Sequence, residues 1–143
     1  MAATTTSEEN KRIVRRLPEE LLKGELDVID EIFTEDAIDH SPLGEKQGRE
    51  ALKEKAEYLL AAFPVESFTV EEAVAEDDTV VLRVTSRGTH DGEFMGIEPT
   101  GREFEIQSVI FYRMRGGQIA ERWAQPDMFG LMQQLGVVEP PGE

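Results

Sequence analysis

Two periodicities divide the chain. Apolar side chains recur every three to four residues in most of the first half and every second residue in most of the second half. The first spacing is typical of a helix with one buried face, and the second of a strand with one buried face. The pattern predicts the following elements: helices between 6 and 24, at 26–33 and at 49–63, a short extended piece at 37–42, strands around 68–74 and at 79–90, 102–115 and 118–125, and a last helix at 128–135.

Local signals mark where several of these elements begin and end. Thr6 followed by Glu9 predicts a capping box at the start of the first helix. Pro18 is expected to interrupt or kink that helix, because proline has no amide hydrogen to donate. The pair Gly116-Gly117 predicts a tight hairpin between the last two strands, and Gly136 predicts the end of the last helix.

The order of the elements indicates the fold class. Helices followed by long antiparallel strands and a terminal helix are typical of an α+β domain whose helices pack on one face of a sheet. A length of 143 residues suits one domain with a single core. No repeat and no linker divides the chain, so one domain over 1–143 is expected, with 1–6 and 137–143 flexible.

The composition narrows the environment of the protein. Cysteine is absent, which excludes disulfide bonds, thiol catalysis and zinc–thiolate sites. No apolar run approaches the roughly 18 residues of a membrane-spanning helix, and no basic start precedes an apolar stretch as in an export signal. A cytoplasmic protein without a membrane partner is therefore expected.

The charge of the chain is strongly unbalanced. Thirty acidic residues against fifteen basic ones give a net charge of −15. Nucleic acid and anionic lipid would be repelled by such a surface, so neither is expected as a partner. Ten of the bases are arginine and five are lysine. An acidic, lysine-poor surface suggests the hypothesis of adaptation to concentrated salt, which screens self-repulsion.

The remaining motifs favour chemistry without a cofactor or a metal. The chain has no glycine-rich nucleotide loop and no phosphate-binding lysine motif, and its two histidines are too few to indicate a metal site. General acid–base chemistry is what such a sequence can still support. The candidate residues for it are Asp39, His40, His90, Glu121 and Asp127.

Most of these candidates have an alternative structural role. His40 precedes a Ser-Pro pair and is either a loop residue or a pocket residue. His90 shares its strand face with apolar residues, so it either faces their cavity or closes the end of the strand. Glu121 is expected to form an ion pair with an arginine, for which Arg113 and Arg102 are the candidates.

Asp127 has two competing interpretations. It follows a proline and opens an apolar helical run, which is typical of a helix N-cap. It also lies where the last strand meets that helix, at the expected mouth of a cavity. A carboxyl held there against Trp123, Met128 and Phe129 would be partly desolvated, which favours the neutral form that can donate a proton. A capping carboxylate gains from staying ionised, so one side chain fills only one of these roles well.

Two longer stretches resemble a known family. They are GTHDGEFMGIEPTGREFEI at 88–106 and YRMRGGQIAERWAQPDMFGLMQQLG at 112–136. Together they are similar to the SnoaL-like polyketide cyclases, also called ester cyclases, and the similarity extends in order from the first helix to Gly136. The resemblance implies a cone-shaped α+β barrel, in which a curved antiparallel sheet wraps around N-terminal helices, with a short C-terminal helix. It also implies a deep apolar pocket and a homodimer or homotetramer.

The resemblance further implies an activity. Members of the family close a ring by an intramolecular aldol reaction of a polyketide ester, without metal or organic cofactor, through an enolate. The catalytic aspartate of the family matches Asp127. Two features depart from the family: the next-to-last long strand has no histidine, and Arg122 stands where a histidine is common. Asp39 or His40 matches a polar pocket residue on an early strand.

Two functions are therefore expected as alternatives. The first is a cofactor-independent acid–base cyclase or isomerase acting on a small apolar keto compound or polyketide-like ester, with Asp127 and His40 as catalytic residues. A related variant is epoxide hydrolysis, which needs an arginine between two carboxylates. The second function is non-catalytic binding of a small apolar ligand on the same fold. The residues expected to contact the ligand are Asp39, His90, Gln107, Tyr112 and Trp123.

Overall fold

The computed structural model describes residues 5–64 and 67–138. The two ends were expected to be flexible, at 1–6 and 137–143. Most of both ends lies outside the described residues. None of the helices in the described part is long and apolar enough to cross a membrane. The elements are α1 (Ser7–Leu22), α2 (Val28–Ile32), β1 (Phe33–His40), β2 (Lys46–Gln47), α3 (Arg49–Ala62), β3 (Ser67–Glu76), β4 (Thr79–Thr89), β5 (Glu103–Arg115), β6 (Gln118–Pro126) and α4 (Met128–Gln134).

One sheet holds all six of these strands. Their order across the sheet is β2-β1-β6-β5-β4-β3. Neighbouring strands are antiparallel, except that β1 runs parallel to β6. The sheet is curved and unclosed, and the helices pack inside it, which confirms the expected α+β fold with a curved sheet around N-terminal helices. Two strands from the first half of the chain, β1 and β2, extend the sheet beyond the strands expected in the second half.

Helix α1 forms as its sequence predicts, with one correction. Thr6 and Glu9 make the reciprocal hydrogen bonds of a capping box. Val14 and Leu17 are buried against the sheet. Pro18 lies inside the helix, which continues to Leu22 without interruption. Of the two expected effects, interruption or a kink, the interruption does not occur, because proline removes only one hydrogen bond and the packed apolar face on the preceding turn keeps the helix in place.

The long strands alternate as their sequence predicts. In β5 every second side chain is buried from Phe104 to Met114. In β3 the register shifts between Val70 and Glu72. This bulge moves Val74 to the exposed side, although its spacing from Val70 would place both on one face. The inner face of the sheet is therefore mostly apolar, with a few buried polar residues such as Asp39 and Ser108, and the register changes at one edge.

Two apolar clusters fill the space between the helices and the sheet. The larger one joins α1, α2 and α3 to the inner faces of β1, β4, β5 and β6. The smaller one joins the end of α3 to α4 and to the segment between β4 and β5, around Phe63, Phe94 and Leu135. A cavity lies where the two clusters meet.

Candidate functional site

The principal cavity lies between α3, α4 and the inner face of the sheet. Its volume is about 160 Å³. Most of its wall is apolar, with only five polar or charged side chains among the lining residues: Ser41, Lys55, Ser86, Ser108 and Arg122. The apolar part of the wall consists of Pro42, Leu43, Leu59, Phe63, Phe68, Phe94, Phe104, Ile106, Ile110, Ala124, Pro126, Met128 and Leu131. An apolar chamber with few polar groups is typical of a small-molecule site.

The two charged lining residues belong to a buried ionic cluster with Asp39. Asp39 on β1 is only 1% exposed. One of its oxygens accepts a hydrogen bond from Arg122 Nη1 on β6, at 2.7 Å, and the other accepts one from Lys55 Nζ on α3. The parallel pairing of β1 with β6 places Asp39 directly opposite Arg122. The cluster therefore connects the helical layer to the sheet at the wall of the cavity.

The surroundings of the cluster shift two of its ionisation equilibria. Burial opposes the ionisation of Asp39, but Arg122 and Lys55 outweigh it and hold the pKa of the Asp39 carboxyl below its usual range. Burial and the adjacent charge of Arg122 lower the pKa of Lys55 to about 8, although Asp39 opposes this shift. Asp39 thus stays ionised near neutral pH, while Lys55 can exchange a proton there.

Arg122 occupies the centre of this region. Its guanidinium lies 5.6 Å from the centre of the Tyr112 ring, which is itself buried. Two smaller cavities, of about 90 and 150 Å³, adjoin the principal one, and Arg122 and Leu59 line all three. Within the described residues, the Nε atom of Arg122 is buried without a hydrogen-bond partner.

Three of the expected pocket residues lie on the other face of the sheet. His40 stacks on Trp123 with ring centres 5.4 Å apart, and His40 Nε2 lies 2.6 Å from Glu121 Oε2. These residues alternate along β1 and β6 with Asp39 and Arg122, so they point away from the cavity. Gln107 is exposed on the same outer face. The expectation that His40, Gln107 and Trp123 line one cavity with Tyr112 is corrected by this alternation.

Glu121 also differs from its expected pairing. Its partner is His40 rather than an arginine. Arg113 lies opposite Glu121 in the ladder, yet its guanidinium lies 3.6 Å from Asp78 Oδ1 and over the Trp123 ring. The outer face is thus covered by a layer of polar and aromatic side chains of its own.

His90 lies inside the protein but outside the cavity wall. Its side chain is fully buried, and its ring packs 5.8 Å from that of Phe63. The Thr100 amide donates to His90 Nδ1, while backbone bonds join His90 to Arg102 and Gly101. Of the two alternatives for His90, the geometry matches the second, in which the residue closes the end of the strand. Its hydrogen bonds anchor the segment between β4 and β5.

Asp127 caps helix α4. Its Oδ1 accepts a hydrogen bond from the Gly130 amide at 2.9 Å. The side chain is exposed, and the expected desolvation against Trp123 is absent because Trp123 faces outward. Both chain neighbours of Asp127, Pro126 and Met128, line the cavity. Asp127 therefore lies at the rim of the cavity in the geometry of an N-cap, and its catalytic role stays a prediction.

Lys55 was missing from the candidates derived from the sequence. It lies three residues after Leu52 and four before Leu59, which are positions on the apolar stripe of α3. A lysine on such a stripe needs a buried partner, and this signal could have identified it. In the described part of the chain, no three His, Asp or Glu side chains come together as metal ligands.

The fold and the cavity define a class: α+β proteins in which helices and a curved sheet enclose an apolar small-molecule chamber. The sequence profile of the SnoaL-like polyketide cyclases matches residues 11–135. The chain belongs to this family, which confirms the resemblance found in the sequence.

Characterised relatives are ester cyclases. The chain is 29% identical to aklanonic acid methyl ester cyclase DauD of Streptomyces sp. (strain C5), over 87% of this chain and 80% of that protein. Among solved structures, a protein of Jannaschia sp. CCS1 described as a candidate SnoaL-like polyketide cyclase superposes with a TM-score of 0.86 and 26% identity, covering 99% of both chains. AclR of Streptomyces galilaeus, described as a candidate hydroxylase, has a TM-score of 0.83 and 29% identity, covering 94% of this chain and 89% of that one.

Proposed function

We propose that the protein is an acid–base enzyme that closes or isomerises a small apolar keto ester through an enolate, without a cofactor. The observation that carries the proposal is the apolar cavity with two cationic side chains, Lys55 and Arg122, in its wall. The apolar wall would hold the carbon skeleton, and the cations would stabilise negative charge that develops on a carbonyl oxygen. The ester cyclase activity of the relatives supports the same class of reaction.

Asp127 is the proposed acid–base residue at the rim. Its neighbours Pro126 and Met128 line the cavity, so a substrate that protrudes from the chamber would meet its carboxylate. The free oxygen, Oδ2, is available for proton transfer while Oδ1 holds the Gly130 amide. One carboxylate would then serve the helix and the reaction with different oxygens.

The variant Asp127→Asn tests this role, because asparagine caps a helix about as well as aspartate. The measurement is the rate at which a benzoylacetic ester exchanges its acidic C–H for deuterium, which isolates the proton-transfer step. A loss of roughly 100-fold or more is expected, with the free energy of unfolding nearly unchanged. Exchange at the wild-type rate in Asp127→Asn would show that another group transfers the proton.

Non-catalytic binding of a small apolar ligand is the second candidate. It is favoured by one observation, namely that the carboxylate of Asp127 is exposed and already engaged as a cap. A binding protein would take up a keto ester in the cavity without accelerating its exchange. Equal affinity in the wild type and Asp127→Asn, with no exchange above the uncatalysed rate in either, would establish this function instead.

We also propose that the protein forms a homodimer or homotetramer through the outer face of the sheet. Phe111 and Val109 on that face are 46% and 38% exposed, next to the stacked pair of His40 and Trp123. Large exposed apolar side chains on one face are typical of an interface. The test is sedimentation of Phe111→Glu against Phe129→Glu, since Phe129 is exposed on α4. Dissociation by the first variant alone is expected, and a wild-type monomer would refute the proposal.

A further inference from the structure

The buried ionic cluster has one more positive charge than negative charge. Lys55 and Arg122 are two cations, and Asp39 is the carboxylate that both of them contact. Among the described residues, neither cation has a second ion-pair partner. Their side chains are only 10% and 18% exposed, so water compensates little of the surplus. A buried charge without a partner is costly, and one way to compensate it is a bound anion.

A second, independent feature points to a missing acceptor. The Nε atom of Arg122 is buried and donates to no described group. Most buried N–H groups in proteins have an acceptor, and an exception calls for a physical reason. The same side chain lines the principal cavity and both adjoining cavities, so its guanidinium lies beside the space in which a ligand would bind.

We propose that Lys55 and Arg122 form an anion-binding subsite that holds the substrate as an enolate. This inference rests on the proposed function, and it adds the substrate class, namely an enolisable dicarbonyl compound that binds in its ionised form. In the subsite the enolate oxygen accepts hydrogen bonds from the guanidinium and the ammonium group. Asp39 accepts hydrogen bonds from both cations and holds them in position, so it is a positioning residue.

The chemistry of the ligand explains why an enolate fits better than a neutral ketone. Proton loss from the carbon between two carbonyl groups leaves a negative charge shared by two oxygens. A neutral ketone would leave the surplus charge of the cluster in place, whereas an enolate cancels it. The apolar wall around Phe94, Phe104 and Ile110 lowers the local dielectric constant and thereby strengthens this attraction.

The experiment uses three probes of similar size with the intact protein. Benzoylacetone is an enolisable dicarbonyl whose enolate has its own near-ultraviolet absorption. Benzylacetone replaces one carbonyl with a methylene group and stays neutral. Phenylbutanoate carries a carboxylate in place of an enolate. Spectroscopic titration with pH gives the ratio of enolate to enol for bound and for free benzoylacetone.

The expected result is that binding favours the enolate of benzoylacetone at least tenfold over its neutral form, and that benzylacetone binds at least tenfold more weakly than benzoylacetone. Arg122→Gln and Lys55→Met should each abolish the preference, because each leaves a neutral ion pair. Both variants remove the surplus charge and are therefore expected to fold. Arg113→Gln is the matched control, since it removes an arginine from the outer face, and it should keep the preference.

Three outcomes would overturn the inference. Equal enolate preference in the wild type and Arg122→Gln would show that the cluster does not bind the anion. Equal affinity for benzylacetone and benzoylacetone would make the cavity purely apolar in its selectivity. Tighter binding of phenylbutanoate than of the enolate would assign the subsite to a carboxylic acid. Enolate preference without deuterium exchange of the benzoylacetic ester would uphold the subsite and reject the acid–base enzyme, whereas exchange without the preference would do the reverse.

Discussion

The ammonium group of Lys55 lies in surroundings that oppose its charge. Burial removes water from it, and Arg122 adds a repulsive charge, so that only Asp39 favours protonation. These opposing influences leave its pKa at about 8, close to the pH at which a proton donor and acceptor works best. One side chain can therefore change both the charge of the cavity and the stability of the fold with pH.

The lowered pKa of Lys55 should make the free energy of unfolding depend on pH. Because the pKa of Lys55 falls from 10.5 to about 8 on folding, the unfolded chain binds more protons between these values. The contribution of Lys55 to the free energy of unfolding is therefore expected to rise with pH across this window, by at most on the order of 3 kcal/mol. The measurement is urea unfolding of the wild type and Lys55→Met at several pH values.

Lys53→Met is the control for that comparison. Lys53 lies on the same helix, but its hydrogen bond to Asp30 raises its pKa instead. From pH 8 upward, the difference between wild type and Lys53→Met should stay nearly constant and then fall as the pH approaches the ordinary value of 10.5. A constant difference for Lys55→Met as well would contradict the predicted shift.

At the scale of single residues, the sequence identifies candidate functional residues better than it identifies the residues with which they pair. Asp39 and Asp127 were recognised as candidates, and Lys55 could have been recognised from its position on an apolar stripe. The pairing of Asp39 with Arg122 could not, because 83 positions separate them along the chain and only the parallel strands bring them together. The exposure of Asp127 depends in the same way on the packing of α4 rather than on its neighbours in sequence.

At the scale of the elements, alternation along a strand carries the most reliable information. The alternation in β5 puts Ser108, Ile110 and Tyr112 on one face, and all three are buried. The same alternation places Gln107 on the opposite face from Tyr112, so the two could not line one cavity. The bulge in β3 was not predictable, because an extra residue in one strand leaves no mark in the apolar pattern.

The segment that follows β4 fits closely against the end of α3. The amides of Asp91 and Gly92 both donate to the Ala62 carbonyl. A side chain at Gly92 would overlap the Ala61 carbonyl, which is backbone and cannot move aside easily. Gly92→Ala is therefore expected to destabilise the fold by about 1–3 kcal/mol. Asp91→Ala is the control because its side chain is exposed, and equal urea midpoints for the two variants would contradict the overlap.

At the scale of the whole molecule, the net charge of −15 is the dominant long-range feature. Several acidic residues have a basic partner, as in the Arg16 ion pairs with Glu20 and Glu31, but the excess of acids leaves most of the charge uncompensated. Self-repulsion of this kind destabilises a compact state, and dissolved salt weakens it. The hypothesis of adaptation to concentrated salt therefore stays a prediction about stability.

The prediction concerns the melting temperature between about 0.01 M and about 1 M sodium chloride. Over this range the screening length falls from about 30 Å to about 3 Å. The melting temperature is expected to rise as screening increases, and most steeply at the low end. Sodium sulfate at equal ionic strength serves as a comparison for effects of the anion itself. A melting temperature that does not change with salt would rule out the adaptation.

The overall architecture was largely accessible from the sequence. Helical and strand periodicities, with the family motifs, were sufficient for an α+β domain with helices inside a curved sheet. The order of the strands across the sheet could not be predicted, because it depends on contacts between residues that are distant in sequence. In particular, β1 leaves the helical half of the chain and joins β6 in parallel, which no local pattern indicates.

The parallel pairing of β1 and β6 has a consequence for the synthesis of the protein. Asp39 leaves the ribosome 83 residues before Arg122, its partner on β6. Until then, β1 has an open edge, and the carboxylate of Asp39 lacks its strand partner. The nascent domain is thus expected to stay incompletely folded until β6 has left the ribosome. A ribosome stalled before β6 should therefore hold a chain that proteases cleave readily, while release of the full chain would make it resistant.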